Sequence, residues 1–338
     1  MNQSLSLILT NQCNLSCQGC YNNPSNYSSE IDPEKLKFFI LSFRPTFVKL
    51  LGGEPTLSTN IVDVCSFLNQ EQIPFSLITN GLKLFEADFI KQIRPFFNKK
   101  NNIIISLWQN DFVLKHYVDL HNNLTDLNFS FSLVIDSNDH DKYTDIIDTI
   151  TKKHLKKIVL NAFVSPVNSS SLTEQGKCIS EEPSPPNPLS QNLLSSSVDQ
   201  TLRERGDCQK HVEDTNKKLM ECFVKNQNVI FNVSKIRLCD FETNLLLQMK
   251  KENRLATGCS LVMGGGMAIN PEGDFLPCSH FNGLSSFSAF EEPEKIEPYQ
   301  KKLVESFSRY PQEECKSCDK YKLFCWGGCP IWRGNLDD

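Results

Sequence analysis

No apolar run in this 338-residue sequence approaches the roughly 18 residues of a transmembrane helix. The N-terminus lacks a cationic segment leading into an apolar stretch and a small-residue cleavage site, so nothing marks the chain for export. Long basic runs are missing too. With 35 basic against 40 acidic residues the net charge is -5, which makes neither nucleic acid nor an anionic membrane the expected partner. Six histidines are scattered without ligand spacing; His280 stands close to Cys278 but reads as a local hydrogen bonder. These absences leave a cytoplasmic globular protein, long enough for about two domains.

What is abundant is cysteine. Fourteen of them in a chain with no export signal fall into Cys-x2-Cys and Cys-x3-Cys groups, a pattern that in a reducing compartment means metal rather than disulfides. The first group, Cys13, Cys17 and Cys20, follows the apolar run Leu5 to Leu9 with C-x3-C-x2-C spacing. Three thiolates are one short of a saturated tetrahedral set. A [4Fe–4S] cluster with three cysteines therefore keeps one iron open to another ligand. Structural zinc is the alternative, and it wants four closed ligands, which no nearby His or Cys completes locally.

From residue 4 to about 164, short β-rich runs alternate with helical periodicity, as expected of a parallel sheet covered by helices. Strands are expected near Ser4 to Thr10, Thr46 to Leu51, Phe75 to Thr79, Asn102 to Trp108, Phe129 to Ile135 and Lys157 to Val164. Asp32 and Pro33 read as cap and first residue of a helix that buries Leu36, Phe39, Ile40 and Phe43. Further helical patterns run over Ile61 to Leu68, Phe85 to Phe96 and Tyr143 to Ile150. The cysteine triplet follows the first strand and Gly52-Gly53-Glu54-Pro55 follows the second, so both lie at the same end of such a sheet. Paired glycines permit a positive φ or a close backbone approach.

The triplet and the GGEP turn together resemble the radical S-adenosylmethionine (radical SAM) superfamily. The resemblance implies an α/β partial (β/α)6 TIM-like barrel whose chemistry sits at the C-terminal ends of the strands. It implies that Cys13, Cys17 and Cys20 hold a [4Fe–4S] cluster whose open iron chelates SAM, and that Gly52, Gly53, Glu54 and Pro55 form the turn that binds the SAM amino group. Tyr21, Asn80 and Ser106 are the further SAM contacts it implies, with Ser106 or Asn110 near the ribose; ordinary turn and strand chemistry is the competing account of these positions. The chain departs from the family in carrying Gly19 before the last cysteine and Tyr21 after it.

Past Val164 the composition shifts. Residues 165–200 are dense in Ser, Pro and Asn and read as a loop, an insertion or a lid. A helical pattern over Cys208 to Lys225 and a β-rich run over Val229 to Ile236 follow, leading to a division into a barrel, 1–236, and a second domain, 237–338. That second domain holds a strand-turn-strand stretch, Met267 to Cys278, turning at Asn270-Pro271-Glu272-Gly273. It also holds Cys259, Cys278 and Cys315-x2-Cys318-x6-Cys325-x3-Cys329. Alone these would suit a zinc ribbon. With the barrel they resemble the SPASM extension of radical SAM enzymes, which holds one or two auxiliary [4Fe–4S] clusters. The resemblance implies Cys315, Cys318 and Cys325 on one cluster and Cys259, Cys278 and Cys329 on the other, with Cys239 a candidate fourth. The family's seventh cysteine is missing. Cys65 reads as core; Cys178 and Cys208 flank the Ser/Pro-rich segment, and Cys222 has no assigned part.

By that resemblance, an external donor of flavodoxin or ferredoxin type reduces the first cluster, SAM is cleaved to a 5′-deoxyadenosyl radical, and a substrate C–H bond is opened. SPASM enzymes mostly act on peptides and proteins. The expected function is thus a maturase that oxidatively cross-links a ribosomally made precursor peptide. A formylglycine-forming sulfatase-type maturase, a peptide epimerase and a small-molecule dehydrogenase are the enzymatic alternatives; a zinc-binding scaffold is the non-enzymatic one. The first strand starts at Ser4, so peptide recognition is expected from a separate protein or from the barrel itself.

Overall fold

Asp32 starts the first helix as its sequence predicts. In the computed structural model its carboxylate accepts from the backbone N–H groups of Glu34 (2.9 Å) and Lys35 (3.2 Å), and α1 runs Pro33–Phe43. Leu36, Phe39 and Ile40 are buried, and the helix stops at Arg44, whose left-handed backbone (φ 53°) lets its N–H return to the Ile40 carbonyl. The structure describes residues 4–17, 20, 29–107, 111–135, 158–162, 229–232, 238, 242–256, 266–279, 287–308, 315 and 317–325. The helical patterns at Tyr143 to Ile150 and Cys208 to Lys225 and the 165–200 segment lie outside these residues. So do Tyr21, Asn110, His280, Cys178, Cys208, Cys222, Cys239, Cys259 and Cys329.

The strands are β1 (Ser4–Ile8), β2 (Phe47–Leu51), β3 (Phe75–Thr79), β4 (Asn102–Ser106), β5 (Phe129–Ile135), β6 (Ile158–Ala162), β7 (Val229–Asn232), β8 (Leu255–Ala256), β9 (Gly266–Ile269) and β10 (Phe275–Leu276). Among the described residues they form one open sheet in the order β10-β9-β1-β2-β3-β4-β5-β6-β7-β8. Every pairing is parallel except that of β10 with β9. The expected α/β architecture with strands in chain order is therefore present. Residues beyond 237 supply β8 at one end of this sheet and β9 and β10 at the other.

Helices α2 (Ile61–Gln70), α3 (Ala87–Ile93) and α4 (Asp111–Asn123) join α1 along the sheet. Strand alternation sorts the two faces. Leu5, Leu7, Val48, Leu50, Phe75, Leu77, Ile103, Ile105, Phe129 and Phe131 point outward into a core shared with Leu36, Phe39, Val64, Leu68, Phe89 and Leu120 of the helices. Cys65 is fully buried there, and burial pushes its thiol far up, as a core residue requires. The expected helix over Phe85 to Phe96 is shorter: Ala87–Ile93 is α-helical, with tight 3-10 turns at Leu82–Phe85 and Arg94–Phe96. Pro95 has no N–H to continue the ladder. Helix α4 was not anticipated, although Val113, Tyr117, Leu120 and Leu124 line one buried side at helical spacing. It kinks at His116 (φ -112°, ψ 15°), whose ring nitrogen lies 2.8 Å from the Phe112 carbonyl.

The hairpin expected at Asn270-Pro271-Glu272-Gly273 is formed. Phe275 pairs with Ile269 and Leu276 with Ala268, and Gly273 turns the chain with φ 87°. Asn270 Oδ1 accepts from the Asp274 N–H (2.7 Å). A Cβ on Gly273 would sit 2.4 Å from the Phe290 ring, so the position needs glycine twice over. Beyond the hairpin, α5 (Thr243–Lys251) and α6 (Ile296–Ser308) complete the described helices. Gln300 of α6 donates to the Gly266 carbonyl (3.2 Å).

Candidate active site

Past β1 the chain leaves the sheet through a closed neck. Asn11 N–H donates to Ser29 O (3.2 Å), Ile31 N–H to Leu9 O (2.9 Å) and Asn11 Nδ2 to Ser29 Oγ (2.8 Å), while Thr10 bridges Glu30. The cysteine loop hangs from this neck. Glu30 carries the neck across to the start of α2, accepting from Thr59 N–H and Oγ1 (3.0 and 2.6 Å).

The GGEP turn then stitches onto the same loop. Gly53 N–H donates to Thr10 O (2.8 Å) and Glu54 N–H to Gln12 O (2.7 Å). A Cβ on Gly53 would lie 2.4 Å from Gln12 O, and one on Gly52 2.9 Å from Thr10 O. Neither glycine is among those with positive φ, so close approach is the reason for both. The backbone they approach is that of the cysteine loop itself.

Glu54 is the buried joint of the site, 1% exposed. Its Oε1 accepts from Thr56 N–H (3.1 Å), Thr56 Oγ1 (2.6 Å) and Thr79 Oγ1 (2.6 Å); Oε2 accepts from Asn80 N–H (2.7 Å). Burial pushes its carboxyl up from the usual range, and these four donors work in the opposite direction. Asn80 completes a circuit by donating from Nδ2 to Asn14 Oδ1 (2.7 Å), back on the cysteine loop. The ends of β1, β2 and β3 are thus locked by Gln12, Glu54, Thr79, Asn80 and Asn14. Ser106 stands one strand further, at the end of β4, in register with Ser132. Thr56, Asn14 and Glu30 were not expected as site residues. The resemblance also implied Thr79-Asn80-Gly81, the end of the third strand, as SAM contacts; what it did not foresee is that the Thr79 hydroxyl donates to Glu54, 25 residues away.

Cys13, Cys17 and Cys20 are all half-buried on that loop. Burial, then the neighbouring charges of Cys20 and Cys13, push the Cys17 thiol up to about 11. Cys13 is raised by burial first, with Glu54 and Cys20 adding to it, while the Leu15 N–H opposes, 3.5 Å from the sulfur. Three thiols that feel one another's charge accommodate a cationic centre, which draws the protons off. Among the described residues no three His, Cys, Asp or Glu side chains are arranged around a single metal ion. A cluster triplet differs from such a site because each thiolate binds a different iron. The donor set, three soft thiols on one loop, fits an iron–sulfur cluster.

The second group of cysteines is built differently. Cys278 follows β10, which runs antiparallel to β9, so the chain there heads back toward the level of Gly266 and Ser4. Six residue rises, about 20 Å along β1, separate that level from Thr10. Cys315, Cys318 and Cys325 sit on successive turns: Cys318 N–H to Cys315 O (3.2 Å), Cys325 N–H to Lys320 O (3.0 Å) and Lys322 N–H, with φ 62°, to Cys325 O (2.8 Å). This knuckle docks on α5 through Thr243 Oγ1 to Asp319 Oδ2 (2.7 Å) and through buried Phe324, with the Lys250 ammonium 5.4 Å from its ring centre. The Tyr321 phenol is raised by burial, then by the nearby charges of Cys315 and Cys325.

Residues 7–164 match the family model of the Radical SAM superfamily, and this part of the chain is a radical SAM domain. Over 88 residues the chain is 34% identical to a "Probable GTP 3′,8-cyclase" of Methanococcus maripaludis; the match covers 24% of this chain and 30% of that protein. The chain therefore spans about 30% of the length of the curated relatives it matches. Two solved structures share the fold across nearly the whole chain. SuiB of Streptococcus suis bound to precursor peptide SuiA has a TM-score of 0.59 at 13% identity, covering 97% of this chain and 72% of that one. Native anSMEcpe with bound AdoMet and Kp18Cys peptide has a TM-score of 0.61 at 17% identity, covering 97% and 90%. At these identities the likeness is one of fold, the partial barrel with its open parallel sheet.

Proposed function

We propose that this chain is a radical SAM peptide maturase that oxidatively modifies, by cross-linking, a ribosomally made precursor peptide. The observation that carries the reading is the fold: over 97% of the chain it follows two structures that were each captured with a peptide. In the assigned roles, Cys13, Cys17 and Cys20 hold the SAM-binding cluster and Gly52 to Pro55, Asn80, Ser106 and Tyr21 border SAM. The barrel, 1–236, presents the substrate; the SPASM-like domain, 237–338, holds auxiliary clusters through Cys259, Cys278, Cys315, Cys318, Cys325 and Cys329. A flavodoxin- or ferredoxin-type protein supplies electrons in the cytoplasm. Among the described residues no helix is long and apolar enough to cross a membrane.

When bound, the cluster and SAM supply a strong hydrogen-atom abstractor. The chain's own residues do the rest. Gly53 and Glu54 fix the cysteine loop to β2 through two backbone hydrogen bonds, which holds the three thiols at the mouth of the barrel. Glu54 aligns Thr79 and Asn80, and Asn80 steadies Asn14 between Cys13 and Cys17. Such a locked mouth orients the substrate C–H bond and keeps water away.

The 88-residue match to the cyclase supports a second reading, chemistry on a purine nucleotide. Both are tested by anaerobic co-expression with a neighbouring candidate precursor peptide, using wild type and Cys17→Ala, and by incubating the purified holoenzyme with GTP. Loss of a pair of hydrogens per peptide, with wild type alone, is the expected result. Deuterium uptake from heavy water without mass loss would mean epimerisation, and a cyclised nucleotide with an unmodified peptide would overturn the maturase reading.

A further inference from the structure

The inner face of the sheet carries a belt of polar residues that the cluster mouth does not use. Ser6 pairs with Lys49, Lys49 with Ser76, and Ser76 with Asn102, in one register line across β1 to β4. Their strand neighbours Leu5, Leu7, Val48, Leu50, Phe75, Leu77 and Ile103 are packed outward among the helices, so alternation turns the belt into the barrel. Asn102 Nδ2 extends it by donating to Ser130 Oγ on β5 (3.3 Å). Above it, toward the cysteine loop, Ile8, Leu51 and Ile78 form an apolar ring with Ala268 and Leu276.

Lys49 is the anomaly. Among the inward positions of β1 to β5 it is the one charged residue, and among the described residues no side chain pairs with it. It stays open to solvent while protein crowds around it, and desolvation lowers its pKa. The register line from Ser6 to Asn102 sets this side chain among polar neighbours on the inner face of the sheet. A ligand's countercharge would offset the partial desolvation of this ammonium. Hydroxyls of Ser6 and Ser76 and the Asn102 amide add neutral donors around it, and no acidic side chain competes at these inward positions.

We propose that Lys49, with Ser6, Ser76 and Asn102, binds a single carboxylate of the substrate inside the barrel. The inference rests on the peptide reading and narrows it: the peptide has an Asp or Glu side chain, or its own C-terminus, near the reacting residue. One lysine balances one negative charge, which suits a carboxylate better than a polyphosphate. Lys49 lies four residues below Gly53, about 13 Å along the strand, so the anchored group and the reacting carbon are a few extended residues apart.

The test is competitive acylation of lysines in the anaerobic holoenzyme, read peptide by peptide by mass spectrometry. Probes are N-acetylglutamate α-amide for a side-chain carboxylate, N-acetylglycine for a terminal one, neutral N-acetylglutamine amide and inorganic phosphate, at constant ionic strength. One or both carboxylates should slow labelling of Lys49 several-fold relative to the other lysines, the more effective one naming the source. The neutral amide should leave it unchanged. Lys49→Arg should retain, and Lys49→Met lose, about tenfold of the affinity for a peptide bearing the acid, with no such gap for its amide counterpart. Labelling that ignores both carboxylates, answers equally to the neutral amide, or answers most to phosphate would overturn the proposal. Lys49 protection alongside an unmodified peptide would instead sink the maturase reading and leave the carboxylate site standing.

Discussion

The two cysteine groups of this chain are held by opposite means. The loop with Cys13, Cys17 and Cys20 is fastened to the ends of three strands by a buried carboxylate, two glycines in backbone contact and a side-chain circuit that returns to the loop. The knuckle with Cys315, Cys318 and Cys325 is made of local turns and touches the rest of the described fold mainly through α5. Long-range stitching gives a site its shape before any cofactor arrives. A knuckle of short turns has few contacts distant in sequence to fix its shape. The difference teaches that the first loop is held by contacts distant in sequence and the second by its own turns.

The sharpest way to break this comparison is to remove one thiol from each side. Cys17→Ala is expected to abolish SAM cleavage, a fall of about a thousandfold or more if the step depends wholly on the cluster. Cys315→Ala should leave most SAM cleavage and stop product formation; equal losses, measured as methionine released and peptide converted, would erase the distinction. Next come the glycines. Gly53→Ala forces a methyl group against Gln12 O and should cost about 1–3 kcal/mol together with SAM turnover. Gly273→Ala should cost a similar ~1–3 kcal/mol through φ and Phe290, yet spare SAM cleavage. Thermal unfolding and turnover of the pair decide whether the two ends are independent.

Smaller effects sharpen the contrast. Glu54→Gln turns an NH2 group toward donors at a buried site and should destabilise by about 1–3 kcal/mol. Thr243→Ala removes an exposed hydrogen bond to Asp319 and should cost no more than ~0.5–1 kcal/mol, with auxiliary iron content as the more sensitive readout. The subtlest change is in pH dependence. Lys49 has a folded-state pKa below its unfolded value, so the unfolded chain holds the extra proton and stability rises with pH through that alkaline window. Lys49→Met should flatten that rise and be the more stable protein at neutral pH; a steeper slope in the variant would contradict it.

Much of this was legible in the sequence because it is local. The Asp32-Pro33 start of α1, all of β3 and β5, and the turn at Asn270 to Gly273 follow from neighbours within a few residues. The cysteine triplet and the GGEP turn were visible at one end of the sheet for the same reason. Helix α4 was missed because Asp119, His121, Asn122 and Asn123 dilute its apolar spacing. The Glu54 joint was illegible in kind: Thr79 and Asn80 reach it only when β2 and β3 align. Lys49 looked like one charge in a strand until register placed Ser6 and Ser76 beside it.

The pairing of β9 with β1 sets a timetable for synthesis. Strands β1 to β8 add in the order they emerge from the ribosome, but the free edge of β1 waits for residues 266–269. At ordinary elongation speeds that is a delay on the order of ten to forty seconds, during which an unpaired strand edge is available to other nascent chains. The protein should therefore be most prone to aggregate while it is being made, with its dependence on chaperones relieved once the hairpin carrying Cys278 closes that edge.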